Sequence, residues 1–206
     1  MTWHNTNTAD KASSFTFYKS LSMLTIQYYH CDFSTEHSIM ETFELGTIGD
    51  RVLMVKKTDD DESVNIILMV KGYDIKQVEL SPSRWATLCD HIDEINASAR
   101  AVQSGSSDIK LCLHIGAGFY ASVTSGFKCV DIRKFYRPYK ATQSEIRATK
   151  RGVALRFHEW SDFCTLAQSL NDKHVSLSAA QPCSLLHDNQ ATFYTCRECC
   201  PFATTS

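Results

Sequence analysis

The sequence predicts an α+β fold made of two tandem units, each a curved antiparallel sheet followed by one helix. Three observations predict it. One motif occurs twice, as Val78-x-Leu80-x-x-x-x-Trp85 and as Val153-x-Leu155-x-x-x-x-Trp160. After each tryptophan the apolar residues fall three, four and three apart: Trp85, Leu88, Ile92 and Ile95, then Trp160, Phe163, Ala167 and Leu170. That spacing is the stripe of an amphipathic helix. Ahead of each motif lie short runs dense in Val, Ile, Phe and Tyr, separated by turn-forming residues, as strands are.

The first unit opens at Phe43-Glu-Leu-Gly46. A strand is predicted over 51–57, an acidic turn over 59–62, a second strand over 64–70, and a tight turn over 71–74. The short Val78-x-Leu80 strand then leads to Ser81, a natural N-cap, and Pro82 at the first helical position. The helix is predicted to run to about residue 102. Residues 103–107, Gln-Ser-Gly-Ser-Ser, read as a linker. The second unit repeats this order. It has Leu113-His-Ile-Gly116, a strand over 118–123, a turn over 124–126 and a strand over 127–136. A long polar loop over 138–151 follows, then the last strand and the helix. A unit of about 65 residues is marginal alone, whereas two can share one core. Trp85 and Trp160 are therefore expected to pack helix against sheet. The organisation predicted is an arm over 1–40, a first unit over 41–105, a second over 106–178 and a tail over 179–206.

The formal net charge of the 206 residues is -2, which excludes binding of nucleic acid by overall basicity. Divided at the repeat, the number changes. Residues 41–102 hold seven Lys or Arg against twelve Asp or Glu, a balance of -5; residues 108–174 hold eleven against six, a balance of +5. In the second unit the cations are interleaved with Phe119, Tyr120, Phe127, Phe135, Tyr136 and Tyr139. Cations draw phosphates by charge and counterion release, and flat rings stack on unpaired bases. Alternation along the strand puts Phe127, Asp131, Arg133 and Phe135 on one side, and Lys128, Ile132 and Tyr136 on the other. A solvated basic face is the bland reading of the same pattern.

Nine cysteines, an odd number, are scattered mostly singly. They read as reduced core residues rather than a disulfide framework, which points to an intracellular protein. No run of about 18 apolar residues marks a membrane span, and no secretory signal is expected at the N-terminus. Cys112-x-His114 lacks a third catalytic partner or an oxyanion donor, so no enzyme is predicted.

From Cys129-Val-Asp-Ile-Arg-Lys-Phe-Tyr136 to Ala148-Thr-Lys-Arg-Gly-Val-Ala-Leu-Arg-Phe-His-Glu-Trp160, the chain resembles the C-terminal domain of the transcriptional coactivator positive cofactor four. The resemblance covers about 113–170. The first unit matches in outline only, over about 43–96, and lacks the Asp-Ile-Arg-aromatic and Lys-Arg-Gly signatures. Members of that family pair two sheet-plus-helix units through their helices and bind single-stranded or melted DNA on the curved sheets. The resemblance implies an intramolecular pseudo-dimer, monomeric in solution and nuclear, that binds single-stranded DNA as a transcription coactivator or related factor. Its expected protein partners are components of the transcription machinery. It also implies a contact set: Arg133 and Tyr136 at the strand end, Lys150 and Arg151 at the basic turn, and Tyr120 and Phe127 on the hairpin. Lys128 and Arg137 are neighbouring cations of the same stretch. One strong and one weak or lost channel are expected. The alternative is a protein-interaction module of the same fold that has lost nucleic-acid binding.

The arm contains Phe15, Phe17, Tyr18, Leu21, Leu24, Ile26, Tyr28, Tyr29 and Phe33, too apolar for a simple solvated extension. The tail carries Cys183-x-x-x-His187 and Cys196-x-x-Cys199-Cys200. Cys183, His187, Cys196 and Cys199 together could hold one Zn²⁺ as a small knuckle. The alternative there is a tail with free reduced thiols.

Overall fold

A computed structural model describes residues 40–57, 63–139 and 145–203. Residues 1–39 of the predicted arm and the whole acidic turn over 59–62 lie outside the described residues. Two four-stranded antiparallel sheets form, β1-β2-β3-β4 and β5-β6-β7-β8, each in chain order. The first contains β1 (Met40–Leu45), β2 (Arg51–Lys57), β3 (Val64–Val70) and β4 (Gln77–Leu80). The second contains β5 (Lys110–Gly116), β6 (Phe119–Thr124), β7 (Cys129–Tyr136) and β8 (Arg147–Arg156). The chain is thus α+β with two similar units. Among the described residues no helix is long and apolar enough to cross a membrane.

Alternation decides which face of each sheet is buried. Leu53, Val55, Ile66, Leu68, Val78 and Leu80 point inward from the first sheet; Ala121, Val123, Val130, Ile132, Val153 and Leu155 do so from the second. All belong to one core that both units share. Helix α3 (Phe157–Lys173) covers that core as one rod. Its counterpart is divided into α1 (Pro82–Asp90) and α2 (Ile92–Gln103) at His91. The predicted single helix over 82–102 is therefore two helices with nearly the same outer bounds. Ser81 caps α1 as expected, its hydroxyl accepting the Arg84 N–H.

A local twofold relation appears in the side chains between the units. Trp85 Nε1 donates to Asn171 Oδ1 at 2.7 Å, and Trp160 Nε1 donates to Asn96 Oδ1 at 2.8 Å. Each tryptophan of one unit thus satisfies its buried N–H on the other unit's helix. The turn after each first strand follows the same exchange. A Cβ on Gly46 would come within 2.8 Å of Glu159 Cγ, and one on Gly116 within 2.9 Å of Arg84 Cγ. Both glycines have positive φ, at 72° and 125°, so both turns need glycine for conformation and for space.

One predicted boundary changes. The long polar loop predicted to reach residue 151 ends earlier, because β8 already pairs with β7 at Tyr136↔Arg147 and Phe135↔Ala148. The register shifts between Phe135 and Arg133, so β8 carries a bulge. Lys150-Arg151-Gly152 is strand rather than turn, and its side chains diverge.

Candidate nucleic-acid interface and metal centre

On the outward face of the second sheet, His114 of β5 faces Tyr120 of β6, and Tyr120 faces Arg133 of β7. The rings of His114 and Tyr120 lie 4.9 Å apart between centroids, and those of Tyr120 and Phe135 also 4.9 Å. A row of three half-buried rings therefore crosses three strands beside an arginine. These are the direct and diagonal cross-strand contacts that a pleated sheet allows. Gly118 N–H donates to His114 Nε2 at 3.1 Å, and burial lowers the His114 pKa. The ring is thus held neutral, as a flat surface rather than a charge.

Arg133 is fixed before any ligand arrives. Its Nε and Nη2 bond both oxygens of Asp131, the latter at 2.6 Å, and Nη1 reaches Thr149 O at 3.0 Å. The Asp131 hydrogen bond raises the arginine pKa. These contacts use three of the five guanidinium N–H groups. Asp131 offsets part of the charge while it fixes the geometry. Gly152 lies directly across from Arg133. A Cβ there would approach Arg133 Cα at 2.6 Å and Ile132 O at 2.7 Å. Glycine in the Lys-Arg-Gly sequence thus makes room for the arginine.

The other predicted contacts divide by position. Lys150 lines a groove together with Arg133 where the units meet. Arg151 turns the other way, its guanidinium 5.7 Å from the buried Phe119 ring. Lys134 and Arg84 approach that ring at 4.8 and 5.6 Å. Burial, and then Arg84 and Arg151, lower the Lys134 pKa. Tyr136 is exposed at the strand end. Arg137 Nη2 donates to Phe202 O of the tail. Phe127 is 67% exposed but lies in the β6–β7 turn with Lys128. Six residues separate Phe127 from Arg133, about 20 Å along an extended strand. The structure therefore joins Tyr120, Arg133 and Lys150 near one site and leaves Phe127 and Lys128 at the far end. His114 and Phe135 were not predicted as contacts; the alternation that puts Phe135 beside Arg133 was the signal for the latter.

The tail forms the second candidate site. A 3₁₀ turn (Cys183–Leu186) presents Cys183 and leads to His187. Asn189 caps the short helix α4 (Gln190–Thr195), which delivers Cys196 and Cys199. Single ligand atoms of Cys183, His187, Cys196 and Cys199 all lie within 4.8 Å of one another. Cys183 Sγ is 3.7 Å from Cys196 Sγ and 3.6 Å from His187 Nε2, which is 3.3 Å from Cys199 Sγ. A tetrahedron with metal–sulfur bonds of about 2.3 Å has edges of about 3.8 Å. Burial pushes the Cys196 thiol up, but N–H groups of Cys199 and Glu198 outweigh it and lower the pKa. Burial and then Cys183 push Cys199 up to about 12. Clustered thiols resist joint ionisation, and a cation relieves that. The cluster could bind a metal ion.

The loop between Cys196 and Cys199 also docks on the rest of the chain. Glu198 O accepts the Ala117 N–H at 2.7 Å, and Glu198 Oε2 accepts Arg84 Nη2 at 2.7 Å. No family model, curated protein or solved structure matches the chain.

Proposed function

We propose that the protein binds single-stranded or melted DNA on the outward face of the second sheet and acts in transcription as a coactivator or related factor. The observation that carries this reading is the ring row His114–Tyr120–Phe135 beside the prepositioned Arg133. Half-buried rings tilted against one another, and a fixed cation beside them on the outward sheet face, suit a strand whose bases are unpaired. Lys150 adds an exposed cation, and Tyr136 a further exposed ring. The resemblance to positive cofactor four supports the same reading, as do the reciprocal Trp–Asn bonds, which suit a pseudo-dimer supplied by one chain. The role is binding, with no chemical step, in a nuclear monomer. We also propose that the ion held by Cys183, His187, Cys196 and Cys199 is Zn²⁺, since a Cys₃His set with these separations matches its tetrahedral preference.

The test is binding of a labelled single strand across a salt series. Affinity is expected to fall as salt rises. An Arg133→Ala, Lys150→Ala double variant is expected to lose most of it. A wild-type chain that binds no single strand at low salt would sink the proposal and favour a protein-interaction module.

A further inference from the structure

The tight turn of the first unit reaches the groove that holds Arg133 and Lys150. This groove, of about 710 Å³, is also lined by Tyr73, Ile75 and Lys76, and has Gly152 and Ala154 along β8. Its existence follows from packing. Strands β4 and β8 approach one another at the junction of the units, and the small outward residues of β8 leave a trough between the sheets. Tyr73 is 56% exposed and Ile75 65% exposed, although both belong to a well-tied turn. Val70 N–H donates to Lys76 O at 2.9 Å, Lys76 N–H to Tyr73 O at 2.9 Å, and Lys71 N–H to Asp50 O at 2.8 Å. Gly72 supplies the positive φ of 76° that the turn requires. Lys76 Nζ sits 4.2 Å from the Tyr73 ring centroid, which covers one face of the ring.

We infer that Tyr73 is a stacking platform contributed by the first unit to the second unit's channel, so that a single strand held at Arg133 and Lys150 crosses the junction and lays one base on Tyr73. The inference rests on the nucleic-acid reading above and extends it to the unit whose sequence had lost the binding signatures. The chemistry of the groove selects a base there. Asp50 and Asp74 also line it; Asp50 is taken by Arg51 and Arg133 by Asp131, so most of its interior charges are paired. Two exposed apolar side chains in such a setting suit a flat, uncharged heterocycle. The flanking phosphates then fall toward Lys150 on one rim and Lys76 on the other. A ring on a hydrogen-bonded turn loses little freedom when a base stacks on it.

The experiment uses the full chain and a labelled oligothymidylate, with one thymine replaced by photoreactive 5-iodouracil in a parallel arm. Tyr73→Ala is expected to weaken binding about 5- to 150-fold, the range of one lost base stack, with the salt slope unchanged because no phosphate contact is removed. Tyr73→Phe, which keeps the ring, is expected to stay near wild type. A photoadduct on Tyr73 supports the inference independently of any folding effect of the alanine variant. Suppose the wild type binds, the Arg133→Ala, Lys150→Ala variant does not, and Tyr73→Ala binds like wild type without an adduct at Tyr73. The platform is then overturned while the nucleic-acid reading stands. No binding by the wild type overturns both.

Discussion

At the third position of the helix after each short strand, the two units carry opposite charges in the same place. In the second unit this residue is Glu159, fully buried. Its Oε2 accepts the Arg156 N–H at 2.7 Å, and the Arg51 and Arg156 guanidinium groups both lie 3.6 Å from its carboxylate. In the first unit the residue is Arg84, which finds its acid in Glu198 of the tail, with both side chains about one-fifth exposed. One unit completes its helix start with its own carboxylate and an arginine from its neighbour. The other depends on a segment beyond both repeats. The same contrast marks the sheets. Arg133, Tyr120 and Phe135 cover the outward face of one, whereas Met69 and Gln77 form the cross-strand pair in the first sheet where Arg133 and Gly152 pair in the second. A duplicated unit can thus keep its core and exchange its surface, because alternation keeps the two faces separate.

The largest effect is expected at the buried carboxylate. Glu159→Ala removes a fully buried carboxylate. It takes the acceptor from the N-cap N–H of Arg156, leaves Arg51 with Asp50 alone among its carboxylates, and opens a cavity, together costing about 3–5 kcal/mol. Arg84→Ala, at the equivalent point, breaks a partly exposed pair and should cost about 1 kcal/mol or less. Chemical denaturation of both variants measures the difference. Equal losses would show that the two helix starts are supported alike.

A smaller effect is expected at the glycine opposite Arg133. Gly152→Ala forces a Cβ into the backbone of β7 and should cost about 1–3 kcal/mol, as overpacking does. It also displaces Arg133, so single-strand binding should fall with stability. Gln77→Ala at the matching point of the first unit should change stability by no more than about 0.5 kcal/mol. Binding and denaturation measured on the two variants, side by side, separate a local requirement of the arginine from a general requirement of the fold.

Much of this contrast was legible in the sequence. The repeat, both edges of β2 and β3, the Ser81 cap and the Cys183, His187, Cys196 and Cys199 cluster follow from periodicity and spacing, which are local. The division of α1 from α2 was not, since His91 breaks a helix whose apolar stripe continues past it. Lys150 and Arg151 read as one basic pair because a loop was expected, and only the pairing of β8 shows that alternation sends them apart. The partners of Arg133, Tyr73 and Arg84 could not be read, because each contact depends on which strands and segments become neighbours. His114 was weighed only for catalysis; cross-strand register makes it part of a ring row.

The smallest effect on the sheets is expected from removing the metal, and it bears on the unit that relies on the tail. The purified chain should carry about one equivalent of Zn²⁺ per chain by elemental analysis, and Cys199→Ser should reduce it. A structural zinc site folds its own segment, so a strong chelator should expose residues 183–203 to protease. The tail meets the rest of the chain through the Arg84–Glu198 pair, the Ala117–Glu198 backbone bond, the Arg137–Phe202 contact, the packing of Cys183–Leu186 on α1 and Phe202 against Gly118. Both sheets nevertheless pair their strands without it, so the core should respond little. Loss of the partly exposed Arg84 pair is expected to lower core stability by about 1 kcal/mol or less. Glu159 bonds Arg156 and Arg51, both outside the tail, so its variant should lose the same stability with metal or without. Arg84→Ala should instead lose its effect once the chelator has removed Glu198. If chelation melts both sheets together, the tail is part of the shared core and the two helix starts are not independent.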